Sequence, residues 1–276
     1  MEYNGEDIVF EILQYGFMQK ALFAGAIIAL VSALLGVFLI LKRMALIGDG
    51  LSHIAFGGVA LGLFINFMPF EITLLFAVVS AFGIVKLREW AGVHGDLSIG
   101  IIFSFALALG VILISLANGF SVDLHYFLFG NIVSITEEDV VLSVGLGVIV
   151  LVLLVLYNKE LMYLSFDEVS AQVSGIPVKK LNTLLIVLTA IVVVISIRIV
   201  GILLISSFLI IPPAAALQMA RSFKQTLILA ALFSLVSVIV GLFFSFWFDL
   251  ASGGAIVMVS VALFVLSFIY KKVNGG

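Results

Sequence analysis

Residues 20–41 read KALFAGAIIALVSALLGVFLIL, and after Lys20 no charged side chain appears until Lys42. At about 1.5 Å per residue such a run makes a helix of roughly 30 Å, the thickness of bilayer hydrocarbon. The pattern recurs. Runs of this kind lie at about 20–41, 47–67, 70–86, 97–117, 139–157, 181–198, 201–218, 225–247 and 254–270. That gives nine candidate spans. The third is short between Glu71 and Lys86, and only Arg198 to Gly201 separate the sixth from the seventh, so eight is the alternative count. Composition agrees: 64% of the 276 residues are hydrophobic and 11% charged, with mean hydropathy +1.37. A soluble domain would carry roughly twice that charge fraction. The fold class expected is an all-α polytopic bundle of eight or nine transmembrane helices, a single domain over 1–276.

Charge placement orients the chain. With the C-terminus inside, Lys42, Arg43, Lys86, Arg88, Lys159, Lys179, Lys180, Arg221, Lys224, Lys271 and Lys272 fall in the cytoplasm, and only Lys20 and Arg198 fall outside. This follows the positive-inside bias. Nine spans then leave the acidic N-terminus (Glu2, Glu6, Asp7, Glu11) outside, where it reads as an uncleaved start rather than a basic signal peptide. The absence of a basic patch excludes nucleic acid as a partner. With no cysteine there is no disulfide framework and no thiolate metal site. A G-x-x-x-x-G-K-[ST] phosphate loop is absent too, as are the spacings of hydrolytic enzymes, so the chain reads as a non-enzyme.

Against this apolar background Gly48-Asp49-Gly50-Leu51-Ser52-His53 stands out. An ionisable residue within a span marks a functional site by default. Asp49 and His53 are four apart, so a helix puts them on one face. Counting from Arg43 places His53 near the membrane centre. A carboxylate with an imidazole suits zinc or manganese, whereas magnesium and calcium prefer oxygen alone. Two ligands are too few for a structural zinc site, which takes four. The bland alternative is an interhelical polar clamp. Gly58-x-x-x-Gly62 reads as close helix packing, which turns this helix inward. Pro212-Pro213 breaks helical hydrogen bonding, either as a packed kink or as a cavity-lining element. Asp123 with His125 and His94 with Asp96 read as loop residues, and Asp249 as an outer helix end. The apolar stretch 126–130 suggests an interfacial or re-entrant element, tolerable at depth only against protein or water.

In the longest cytoplasmic loop, Ser165 and Glu168 fit an S-x-x-E capping box, and Gly175 with Pro177 a helix stop. A short amphipathic helix over 165–176 is expected. Phe166, Val169 and Val173 would share one face, available to a partner.

These residues carry a resemblance. Gly48-Asp49-Gly50-Leu51-Ser52-His53-Ile54-Ala55 resembles the G-D-x-[LI]-[SA]-H-A stretch of the zinc and manganese permeases of ABC transporters. In order along the chain, Asp96-Leu97-Ser98-Ile99-Gly100, Asp123-Leu124 with Leu128-Phe129-Gly130-Asn131-Ile132, Ser165-Phe166-Asp167 with Ala171 and Gly175-Ile176, and Gly201-Ile202-Leu203-Leu204 through Pro212 are similar to the same family. Two positions depart from it: Ala251 stands where the family has proline, and Ile54 intervenes between His53 and Ala55. The resemblance implies a plasma-membrane permease that works as a homodimer with a separate ATP-binding subunit. An extracytoplasmic metal-binding protein would deliver the ion. Asp49 and His53 would be the metal site, and the 165–176 helix, with Phe166, Asp167, Val169 and Val173, would couple to the ATPase. The cargo would be a divalent metal, zinc first and manganese next, with no permanently bound cofactor. The rivals are a stand-alone secondary metal transporter and a non-transporting scaffold.

Overall fold

The computed structural model describes residues 14–90, 97–117, 127–202 and 204–274. Its helices are α1 (Gly16–Leu41), α2 (Leu46–Phe64), α3 (Pro69–Trp90), α4 (Leu97–Leu116), α5 (Glu137–Leu156), α6 (Asn158–Phe166), α7 (Glu168–Val173), α8 (Val178–Val200), α9 (Ile205–Met219), α10 (Phe223–Phe248) and α11 (Ser252–Asn274). In hydrocarbon every backbone amide must be satisfied within its own segment, so long uncharged runs become helices. Eight of these helices are long and apolar enough to cross a membrane, and α9 is shorter.

The sixth and seventh runs separate into α8 and the shorter α9, and the ends of α9 show how far it reaches. Just before it, Ile202 donates its amide to the Phe127 carbonyl, and the Ser252 hydroxyl, at the start of α11, bonds the Ile199 carbonyl. Near its other end Gln218 accepts from Lys271, at the far end of α11. α9 therefore runs from one end of the bundle to the other. Ion pairs mark the same two ends. Lys20 meets Glu137 at one, and Lys42 meets Glu168 at the other.

Burial sorts the helices into centre and rim. In the apolar windows of α1, α2 and α8, 67%, 72% and 67% of residues are buried, against 28% in each of α3, α4 and α5. α2 packs on α3 and α4, while α1 packs on α5, α9 and α10. α8 lies between these groups, touching both α1 and α2. Rim helices expose Leu75, Val79, Phe105 and Ile149 outward, as lipid-facing surface requires.

Several expectations need correction. The third span is a full-length helix, Pro69–Trp90, because Glu71 sits in its first turn and Arg88 in its last, where the helix dipole favours those signs. Lys86 is held along the helix surface by Glu89 at 3.7 Å and lies 5.6 Å from the Trp90 ring centroid. Pro212 and Pro213 lie buried inside α9, which stays helical from Ile205 to Met219, and Pro213 packs against Gly36 of α1, so protein surrounds both prolines. The capping box at Ser165 does not form. Ser165 is buried in the last turn of α6, its hydroxyl donating to the Leu161 carbonyl. Asp167 caps α7 instead, accepting from the amides of Val169 (3.0 Å) and Ser170 (3.1 Å). The expected single helix over 165–176 is thus α7 alone, preceded by α6 and broken at Asp167 (φ −151, ψ 105). The stop is as expected: Gly175 (φ +81) donates to Gln172 and Ile176 to Ala171, the paired bonds of a Schellman motif. His94, Asp96, Asp123, His125 and the acidic N-terminal residues lie outside the described residues.

Candidate metal site

α2 enters the bundle after a tight turn. Arg43 adopts a left-handed conformation (φ 57), and the Met44 amide returns to the Leu39 carbonyl at 2.8 Å. The glycine face then brings the helix into close contact with its neighbour. A Cβ on Gly58 would stand 2.9 Å from the Thr73 Cα, and one on Gly62 would stand 2.6 Å from the Pro69 Cα, both on α3. The small-residue spacing is a packing surface, and it fixes which way the remaining face looks.

That face carries the ionisable pair. Over the first two turns of α2 nearly every position is buried except Leu46, Asp49 and His53, which are spaced three and four apart and so form one stripe. The Asp49 side chain is 53% exposed and that of His53 29%. Nε2 of His53 lies 3.8 Å from Oδ1 of Asp49, a gap that leaves both atoms free to turn toward a shared ion. Asp49 sits in the first turn, where the N-terminal end of the helix dipole favours a carboxylate. His53 is one turn deeper, two residues short of the helix midpoint at 55. The pair therefore runs from the Lys42 end toward the middle of the bundle, with the histidine the more central member.

One neighbour of the pair was not visible in the sequence. The His53 ring packs against Phe103 of α4, centroids 5.0 Å apart at 51°. Phe103 lies in an uncharged run from Leu97 to Ala117, so nothing in the pattern singles it out. Ser52, also on α2, returns its hydroxyl to the Asp49 carbonyl at 2.7 Å and is buried, so it turns away from the open stripe.

Among the described residues no group of three or more His, Asp or Glu side chains could hold a metal ion. The pair thus offers two donors on an uncovered face.

At the Lys42 end, Val169 and Val173 of α7 are 72% and 84% exposed, and Phe166, at the end of α6, is 66% exposed. Phe166 is anchored edge-on against Phe223 (centroids 6.2 Å, 66°). Beside it Met162, Tyr163, Phe166, Asp167 and Ser170 line a cavity of about 310 Å³. The Ser170 hydroxyl, its amide and that of Val169 all donate to Asp167 and hold its carboxyl below the usual carboxylate range. Asp167 is occupied as a cap. At the opposite end Phe17, Asn131, Phe246, Asp249 and neighbours line a larger cavity of about 480 Å³, with Asp249 at the C-cap of α10 in a left-handed conformation.

Comparison with known proteins places these features in context. Residues 14–271 match the model of the ABC 3 transport family. A manganese transport system membrane protein of Halalkalibacterium halodurans is 36% identical over 265 residues, 96% of this chain and 91% of that one. A high-affinity zinc uptake system membrane protein of Haemophilus influenzae is 37% identical, covering 91% of this chain and 97% of its own length. Among solved structures, PsaBC from Streptococcus pneumoniae in complex with Fab superposes with a TM-score of 0.85 at 33% identity, covering 98% of this chain and 99% of that one.

Proposed function

The chain belongs to the ABC 3 transport family, and from that premise we propose that it is the membrane-spanning subunit of an ATP-driven importer for divalent zinc or manganese. The observation that carries the reading is the open Asp49–His53 stripe on the otherwise buried helix α2. Two copies of the chain facing each other across that stripe would supply two carboxylates and two imidazoles. Four such donors suit tetrahedral zinc, and with added water they suit manganese.

The manganese and zinc systems named among the relatives support the choice of cargo. Lysine and arginine placement supports a cytoplasmic Lys42 end and C-terminus. On that orientation α7 and the exposed Val169 and Val173 face the cytoplasm, where a separate ATPase would dock. The 480 Å³ cavity faces outward, toward a delivering metal-binding protein. The chain itself is a transport component, with ATP hydrolysis on the partner.

The test is ATP-dependent uptake of zinc and manganese into proteoliposomes holding the permease, its ATPase and the binding protein. Asp49→Ala and His53→Ala should each reduce uptake by about 100-fold, since each removes a ligand from both copies. Both side chains are partly exposed, so the variants should fold. Undiminished uptake by a folded variant would refute the site.

A further inference from the structure

Lys42 is a buried cation at the end of a membrane helix, and its surroundings are unusually complete. Its side chain is only 5% exposed, whereas that of Glu168 is 54% exposed. Nζ lies 3.5 Å from Oε2 of Glu168 and donates to Oδ1 of Asn182. The triangle closes through Nδ2 of Asn182, which donates to Oε1 of Glu168 at 3.0 Å. Three elements meet here: the C-cap of α1, the first residue of α7 and the start of α8. Burial lowers the Lys42 pKa, opposed by Glu168 and reinforced by nearby Arg88. Keeping an ammonium in such a place requires its partners to stay in register.

The cluster connects α7 to the metal pair by a short, stiff route. α7 is braced at both ends, by the Asp167 cap and the Gly175 stop. From Lys42 the chain makes one hydrogen-bonded turn, with Met44 donating to Leu39 and Ile47 to Met44, and enters α2, whose first turn holds Asp49. The connection between the two helices is only the four residues 42–45, tied back by these hydrogen bonds.

We propose that Lys42 is a positioning residue that transmits movement of α7, through its Glu168–Asn182 contacts and the 42–45 turn, to the Asp49–His53 pair. The proposal rests on the transport reading above. It adds a specific mechanical link between the docking helix and the site. A static strut made of the same residues would affect only how much complex is recovered.

The chain has no cysteine, so Leu46→Cys, one turn before Asp49 and on the same stripe, provides a single reporter thiol. In the full complex its rate of modification is measured with and without ATP, together with metal ions imported per ATP hydrolysed. Glu168→Gln removes the counter-charge from an exposed position without altering shape, and Lys42→Met provides a second variant. Each should retain the ATPase partner and hydrolyse ATP. Uptake per ATP should fall by about tenfold, within the range of ordinary coupling between sites, and the nucleotide-dependent change at the reporter thiol should be abolished. Lys42→Arg should partly restore both. Normal uptake per ATP and an unchanged thiol response in the two variants would overturn the proposal. So would loss of the ATPase from Glu168→Gln, which would make Glu168 a docking contact. If the unmodified complex imports no metal, the transport reading fails, while the thiol response to ATP still decides the link.

Discussion

The two ends of this bundle are built differently. At the Lys20 end the break between α8 and α9 is held by backbone pressed against backbone. Gly201 (φ +83) sits where a Cβ would stand 2.5 Å from the Phe129 carbonyl carbon, and Gly130 (φ +75) where one would stand 2.5 Å from the Ile199 carbonyl oxygen. Hydrogen bonds from Ile202 to Phe127 and from Ser252 to Ile199 complete the seam. At the Lys42 end the contacts are made by charged and amide side chains around a short exposed helix. A seam of glycines permits one arrangement, whereas a side-chain cluster permits several. On the transport reading, movement belongs at the end proposed to meet the ATPase.

Substitutions at three places test that contrast. The largest effect is expected at the glycine seam. Gly201→Ala places a methyl group in an occupied space and a non-glycine residue at positive φ, so destabilisation of more than about 2 kcal/mol should appear as a lowered thermal transition in detergent. A normal transition would show the seam to be loose. Next comes the proposed docking face. Val169→Asp and Val173→Asp put charge on exposed apolar positions that contribute little to the chain's own packing. Copurification of the ATPase should fall by about tenfold or more with the permease fold intact, and full retention of the partner would remove α7 from the interface. Phe166→Ala is a less clean probe, because Phe166 also packs on Phe223.

The smallest effect concerns the Asp167 cap. Its folded pKa lies below that of an unfolded aspartate, so its contribution is fully present above the ordinary value of about 3.9 and is lost as pH falls through the folded one. Amide exchange at Val169 and Ser170, corrected for intrinsic rate, should therefore be level between pH 7 and about pH 5. Asp167→Ala should raise it several-fold, and Asp167→Asn, which can still accept both bonds, much less. Equal exchange in Asp167→Ala would mean that α7 does not depend on its cap.

Most of the architecture was legible because hydrocarbon enforces a simple rule: uncharged runs of sufficient length become helices. The rule misjudged α3, since Lys86, Arg88 and Glu89 can occupy helical turns while their charged ends reach for water. It misread the short helix at the Lys42 end because Ser165 and Asp167 compete for the same cap. Asp167 prevails, with an ionised side chain that satisfies two amides, while Ser165 turns back onto α6. The Asp49–His53 pair was legible from charge alone. Phe103, Asn182 and the buried state of Lys42 were not, because each owes its role to a neighbour distant in sequence: Phe103 to His53, and Asn182 and Lys42 to Glu168.

The central claim is that each chain contributes half of one metal site through Asp49 and His53. Calorimetric titration of zinc and of manganese into the purified permease, with the chain concentration known, tests it most directly. The account predicts one ion for every two chains and loss of that binding in either Asp49→Ala or His53→Ala. One ion per chain, or binding that survives both substitutions, would contradict it.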